Sequence, residues 1–481
     1  MLARLGTLLT RVFRHTAPEP FVLAILLTIV AFVACATLTD TAPGELVGMW
    51  SDPSSGVWKF LAFGMQMCLI LVTGFAVASS KPVAWALHAL ASLPRSCAQG
   101  ALLVALGACT LGVLHWGLGL IGGAILARDV TRTLRTRHIP AHTPLLAGAG
   151  YAGMLVWHGG FSGSAPLKMT SQAEVASVFP PGVQADPLSL AETVLSPMNL
   201  VGTGGLLVLV PILFMLMAPR HRADTSAEHD AAQTPGTMTE EEFTALSDTR
   251  QEDRPGPLVW VLERTPIVNY ALAALIGAWA LGFYLPGIAH DATGGALGEA
   301  GAPSGVLRLD PNTLNLTFLL LALLLHPSPR SLVRAVEDAA RGCAGIILQF
   351  PLYAGIMGIV ASSGLLAQLS AWINDAATPT TLPVMTMGSA ALVNLFVPSG
   401  GGQWGIQGPL AMQGATDLGV DPGTMVMAVA YGDQLTNMLQ PFWALPLLAI
   451  TGVKAREIVG YTCIAMLGAA LWLGLCLLIL G

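Results

Sequence analysis

Three ionisable side chains lie at apolar depth in a sparsely charged chain: His115, His158 and Asp433. A charge inside a bilayer is expensive, so such a residue is by default a site for an ion, a proton or a substrate. Each falls in an irregular break within an apolar stretch: 115–123 (HWGLGLIGG), 158–166 (HGGFSGSAP) and 432–441 (GDQLTNMLQP), with a fourth break at 398–405 (PSGGGQWG). Helix ends at such breaks present free N–H groups and the positive dipole end, which suit an anion. Glycine lets the backbone approach a ligand without a Cβ in the way. Three successive glycines, Gly400 to Gly402, are costly in mid-helix unless a turn is wanted.

The polar side chains in these breaks suit a carboxylate. Ser162, Ser164, Ser399, Gln403, Thr436 and Asn437 can donate hydrogen bonds, alongside His115, His158 and the backbone at Gly160, Gly400 and Gly401. Each hydroxyl has the competing role of bonding its own helix backbone. Asp433 with Asn437 could ligate a coupling ion; alternatively a histidine carries a proton, its pKa being near working pH, or stays neutral against a backbone carbonyl. Trp116, Trp157, Trp404 and Tyr431 flank the breaks, where they either wall a pocket for a short acyl tail or anchor helix ends at the membrane interface. No Arg or Lys lies in any break, so a dicarboxylate or sugar acid lacks a fixed cation for a second charge. The pattern favours a small monocarboxylate moving with Na+ or H+. A metal-dependent intramembrane hydrolase is the contrasting reading, but H-E-x-x-H and G-x-S-x-G are absent and the histidines lie on separate segments. No catalytic residue, bound metal, cofactor or nucleic-acid partner is expected.

The elements that position these breaks are duplicated. Residues 65–80 (MQMCLILVTGFAVASS) and 348–363 (LQFPLYAGIMGIVASS) share a V-A-S-S ending with Gln66 and Gln349 at one offset. In the same order, 111–123 corresponds to 392–405, 156–167 to 430–441, and Val201-Gly202 to Val459-Gly460. Repeated halves with interrupted apolar segments at matching positions are a secondary-transporter signature; the simpler alternative is close helix packing on small residues.

Composition sets the class. The chain is 54% hydrophobic and 10% charged, against about 25% charged in soluble domains, and several apolar stretches approach the roughly 20 residues that cross a bilayer as a helix. An all-α polytopic membrane protein is expected. The crossings read as 21–38, 58–79, 143–167 and 194–217 in an N-terminal repeat (1–217), and 267–285, 312–326, 343–361, 423–451 and 456–480 in a C-terminal repeat (263–481). Stretches 98–127 and 380–418, each glycine-rich in its middle, fit re-entrant hairpins, because irregular backbone at membrane depth must line protein or a cavity. Residues 218–262, rich in acidic groups, read as a flexible cytoplasmic linker. With the N-terminus cytoplasmic, only Lys59, Lys168 and Arg308 of the 22 Lys and Arg residues fall outside, a positive-inside pattern that leaves the C-terminus periplasmic. The extra crossing at 267–285 then inverts the second repeat. The leader with Arg4, Arg11 and Arg14 reads as an amphipathic cytoplasmic segment. The seven cysteines show neither C-x-x-C spacing nor a disulfide framework.

The stretches 61–74 (LAFGMQMCLILVTG), 157–166 (WHGGFSGSAP), 397–409 (VPSGGGQWGIQGP) and 432–441 (GDQLTNMLQP) resemble the bacterial short-chain fatty acid transporters of the acetoacetate and butyrate uptake type, within the ion transporter superfamily. The resemblance covers nearly the whole chain outside the linker. It implies uptake of short-chain carboxylates across the bacterial inner membrane by an elevator-like motion of hairpins and broken helices, often in a dimer. Where that superfamily commonly carries Ser-Asn-Thr hairpin tips, this chain has HWGLG at 115–119 and PSGGG at 398–402, which leaves Na+ and H+ both open as coupling ions.

Overall fold

The computed structural model describes residues 2–16, 18–178, 185–219, 256–298, 304–305, 310–365, 368–369, 372 and 376–481. Their regular elements are all helices. Among them, seven helices are long and apolar enough to cross a membrane: Pro20–Leu38, Leu61–Ser79, Cys97–Leu114, Pro197–Leu216, Ile267–Tyr284, Pro329–Ser362 and Ala455–Leu480. Leu275, Leu471 and Ile479 point outward from these helices, as side chains solvated by lipid do. Most of the expected linker, 220–255, lies outside the described residues, as do Arg308 and Asp375. The last residues of the expected linker, 257–262, lie in the helix Pro257–Arg264, which proline starts at its first position.

Two helical hairpins form the centre. The first joins Cys97–Leu114 to Trp116–Thr136 through the single extended residue His115. Its arms touch at glycines: a Cβ on Gly119 would stand 2.6 Å from the Gly112 Cα. The second joins Leu382–Asn394 to Gly400–Leu418 through residues 395–399.

Two interrupted segments lie against the hairpins. One runs Thr143–Tyr151, then short 3-10 turns Ala152–Leu155 and Trp157–Gly159, then Ser164–Leu167. The other runs Pro422–Thr436, an irregular stretch, and Leu445–Thr451. Tyr151 ties the two segments by donating to the Asn437 carbonyl at 3.0 Å. The 26-residue helix Ala455–Leu480 braces both: Thr462 donates to the Met438 carbonyl at 2.6 Å, and the Tyr461 hydroxyl meets His142 Nε2 at 3.4 Å. His142 is the cap of Thr143–Tyr151, where its Nδ1 accepts from the Leu145 amide.

Candidate functional site

The site forms where the breaks meet. His158 sits in the 3-10 turn of the first interrupted segment, and Asp433 near the end of Pro422–Thr436. Their side chains are 1% and 2% exposed, with His158 Nδ1 3.0 Å from Asp433 Oδ1. The Ala165 amide donates to His158 Nε2 at 3.0 Å. That bond occupies the Nε2 lone pair, so the ring proton resides on Nδ1 and donates to Asp433. An ionised Asp433 beside this imidazole gives the pair one net negative charge. Gln434 accepts from the His158 amide at 3.2 Å, so the two segments interlock through consecutive residues.

Asp433 Oδ2 is buried and makes no hydrogen bond among the described residues. Neither do the side-chain oxygens of Asn394, Gln403 and Gln440, nor the amide nitrogens of Gln434 and Asn437. Buried polar atoms are ordinarily satisfied, so these unpartnered atoms make the surroundings of Asp433 the candidate site. Asn394 organises it: its Nδ2 lies 2.7 Å from the Asp433 carbonyl, 3.1 Å from Thr436 Oγ1 and 3.0 Å from Asn437 Oδ1. Gln440 donates to the Asn394 carbonyl at 3.0 Å.

The tip of the second hairpin closes over the pair. A Cβ on Gly400 would lie 2.8 Å from Trp157 Cη2, 2.9 Å from His158 Cε1 and 3.3 Å from Ser164 Oγ, so only glycine allows this approach. Trp157 stacks on His158 with centroids 4.2 Å apart. Gly401 lies beside Ser164, and Ser399 caps its own helix by accepting from the Gly402 amide.

The first hairpin holds the other side of the break. Ser162 accepts from the Trp116 amide at 3.0 Å, and the Phe161 amide donates to the Val113 carbonyl at 2.8 Å. A Cβ on Gly160 would stand 2.3 Å from that carbonyl. His115 caps the second arm, its Nδ1 accepting from the Gly117 amide, and stacks on Trp116. Trp116 meets Trp443 edge-on at 5.2 Å, and Trp443 continues into Phe442 and Phe350. His115 and Trp116 therefore line the aromatic side of the assembly, with no hydrogen bond from either side chain to the His158–Asp433 pair among the described residues.

Several expected donors are engaged elsewhere. Gln403 donates to the Ala390 carbonyl and to Gln407, both at 2.9 Å, bracing the second hairpin and leaving only its oxygen unpartnered. The Thr436 hydroxyl donates to the Ala391 carbonyl at 2.7 Å. Trp404 is fully buried against Gly408 of its own helix. Tyr431 donates to Asn199 at 2.9 Å and belongs to the core.

Asn199 and Asn394 carry much of this geometry, and neither stands out in the sequence. Each is an amide in an apolar helix without a glycine break of its own; the signal was polarity at a buried helical position. Asn199 Nδ2 donates to the carbonyls of Gly159 and Val194 at 2.8 and 2.6 Å, and its oxygen accepts from Thr203 and Tyr431. Asn199→Leu strands these partners, each at about 1–3 kcal/mol. A loss of roughly 4 kcal/mol or more is expected, read as a lower midpoint of thermal unfolding in detergent; an unchanged midpoint would remove Asn199 from this role.

An all-helical chain with seven membrane-spanning candidates among its described residues and polar groups gathered at interrupted helices has the build of a membrane transporter. The family model for the short chain fatty acid transporter matches residues 1–480, and the chain belongs to that family. A protein of Escherichia coli (strain K12) that carries the name short-chain fatty acid transporter is 39% identical over 472 residues, spanning 97% of each chain. One of Haemophilus influenzae (strain ATCC 51907 / DSM 11121 / KW20 / Rd) with the same name is 33% identical over 476 residues, spanning 98% of each. Among solved structures, Neisseria gonorrhoeae MtrF, presented within a class of antimetabolite efflux pumps, aligns at 14% identity with a TM-score of 0.42, covering 98% of both chains. The Alcanivorax borkumensis YdaH transporter aligns at 17% identity and a TM-score of 0.36, covering 95% of this chain and 98% of its own. At these scores neither likeness carries an argument. Among the described residues no group of three or more His, Cys, Asp or Glu side chains is placed to hold a metal ion.

Proposed function

We propose that this protein imports a small monocarboxylate such as butyrate or acetoacetate, together with a cation, by alternating access across the bacterial inner membrane. The observation that carries the reading is the buried His158–Asp433 pair with its unpartnered Oδ2. A net negative charge at that depth is costly until a cation or proton joins it. A monocarboxylate brings a further negative charge, and the breaks contain no Arg or Lys to meet it. The cation and the anion are therefore bound favourably only together, which is the thermodynamic basis of symport.

Orphaned oxygens on Asn394, Gln403 and Gln440 suit a cation around Asp433, while the N–H donors of Asn437, Gln434 and Trp157 suit a carboxylate. Placing substrate among His115, Trp116, His158, Gly160, Ser162, Ser164, Ser399, Gly400, Gly401, Gln403, Trp404, Thr436 and Asn437, and the ion at Asp433 and Asn437, remains the working assignment. The side chains of Gln403 and Trp404 act in it as supports, since the first spends its donors within the hairpin and the second lies wholly inside its helix packing.

Inverted repeats moving as an elevator accord with the arrangement of ends. The first interrupted segment begins beside Tyr461, at one end of Ala455–Leu480, and the second begins beside Gly481, at the other. We take 1–217 and 263–481 as the repeats, 98–127 and 380–418 as re-entrant hairpins, the N-terminus as cytoplasmic and the C-terminus as periplasmic, with a homodimer as the assembly.

The test is uptake of labelled butyrate into proteoliposomes with a sodium gradient and a proton gradient imposed separately. Accumulation above equilibrium under one gradient is expected. No accumulation under either, with protein shown to be folded, overturns cation-coupled butyrate transport.

A further inference from the structure

The N-terminal helix Leu2–Thr16 takes no part in the site, yet it is firmly attached to the fold. Gly6 and Thr10 are buried against Ala455–Leu480: a Cβ on Gly6 would stand 2.8 Å from the Tyr461 ring, and one on Gly460 would stand 2.4 Å from the Thr10 amide nitrogen. Arg14 pairs with Glu457 at 3.1 Å, and Arg456 with Glu19 at 3.5 Å.

The opposite face of the helix is exposed and divided lengthwise. Leu5, Leu8 and Val12 recur at helical spacing as one apolar strip, with Leu8 53% exposed. Arg4, Arg11 and His15 recur at i, i+7 and i+11 as a parallel strip beside it, also exposed. Arg4 and Arg11 make no ion pair among the described residues, whereas Arg14 on the buried side does. An apolar strip alone would suit acyl chains, and a basic strip alone would suit solvent. Side by side on a helix held against a membrane protein, they match the boundary between acyl chains and negatively charged headgroups.

We propose that this face is a binding surface for anionic phospholipid headgroups, with Arg4 and Arg11 as the phosphate contacts and Leu5, Leu8 and Val12 seated among the upper acyl carbons. Because the same helix is packed on Tyr461, which reaches the His142 cap of the first interrupted segment, the bound lipid braces the end of the element that carries His158.

The test needs no transport and so stands or falls apart from the function proposed above. Full-length protein bearing a donor dye on Thr16→Cys is reconstituted in phosphatidylcholine vesicles containing phosphatidylglycerol, with acyl-labelled acceptor on one lipid or the other. Preferential energy transfer to phosphatidylglycerol is expected for the otherwise unaltered chain. Each arginine is worth roughly fivefold in local preference, so Arg4→Gln with Arg11→Gln removes the preference, Arg4→Lys with Arg11→Lys retains it, and high salt suppresses it. Equal transfer to both lipids in the otherwise unaltered chain, or an undiminished preference in the double glutamine variant, overturns the proposal.

Discussion

Asp433→Asn is expected to reduce gradient-driven accumulation of butyrate to the equilibrium level while the protein folds and still exchanges substrate across the membrane. The substitution is nearly isosteric, and the asparagine oxygen can accept the His158 Nδ1 proton at the 3.0 Å position that Asp433 Oδ1 occupies. The Ala165 bond to His158 Nε2 is untouched, so the tautomer and the ring position persist. What disappears is the net negative charge, and with it the energetic penalty that a cation or proton relieves. Substrate then binds without requiring a co-ion, and a gradient of that ion no longer drives it. Asp433→Ala separates coupling from structure: it leaves the His158 N–H unpartnered at about 1–3 kcal/mol and should lower thermal stability where Asn does not. Counterflow and net accumulation, measured on the same proteoliposomes, provide the check. Undiminished accumulation by the Asn variant would place the coupling site elsewhere.

The sequence made the breaks legible because breaking a membrane helix requires residues that stand out: consecutive glycines, prolines, and histidine or aspartate among aliphatics. It thus pointed to His158 and Asp433, which lie 275 positions apart and end in contact. Partner choice was not legible. Gln403 and Trp404 stand in a conspicuous motif, but helical spacing turns the Gln403 amide onto Gln407 and buries the indole. Asn394, one turn before the second tip, was hidden in an ordinary apolar helix, although three of the site's acceptors converge on its amide. Spacing reports which side chains share a helix face, whereas the pairing of faces from distant segments arises only in packing.

Gly400→Ala should lower uptake of butyrate by roughly tenfold, while Gly405→Ala on the same helix leaves uptake near normal. Both substitutions introduce a methyl group and replace glycine with a better helix former, worth up to about 1 kcal/mol. Only their surroundings differ. At Gly405 a Cβ meets nothing within 4 Å. At Gly400 it would press on the Trp157 ring at 2.8 Å and on His158 Cε1 at 2.9 Å, an overpacking cost of about 1–3 kcal/mol. Trp157 is stacked on His158, and His158 is held at both ring nitrogens, so neither side chain can yield without disturbing Asp433. The hairpin tip must withdraw instead, which opens the candidate site at the point where the tip covers Trp157 and His158. A tenfold fall corresponds to about 1.4 kcal/mol, within the cost of that withdrawal. Concentration dependence of uptake and thermal midpoints for the two variants decide the matter: if Gly400→Ala transports as well as Gly405→Ala, the approach of this tip to Trp157 and His158 is not part of the transport cycle.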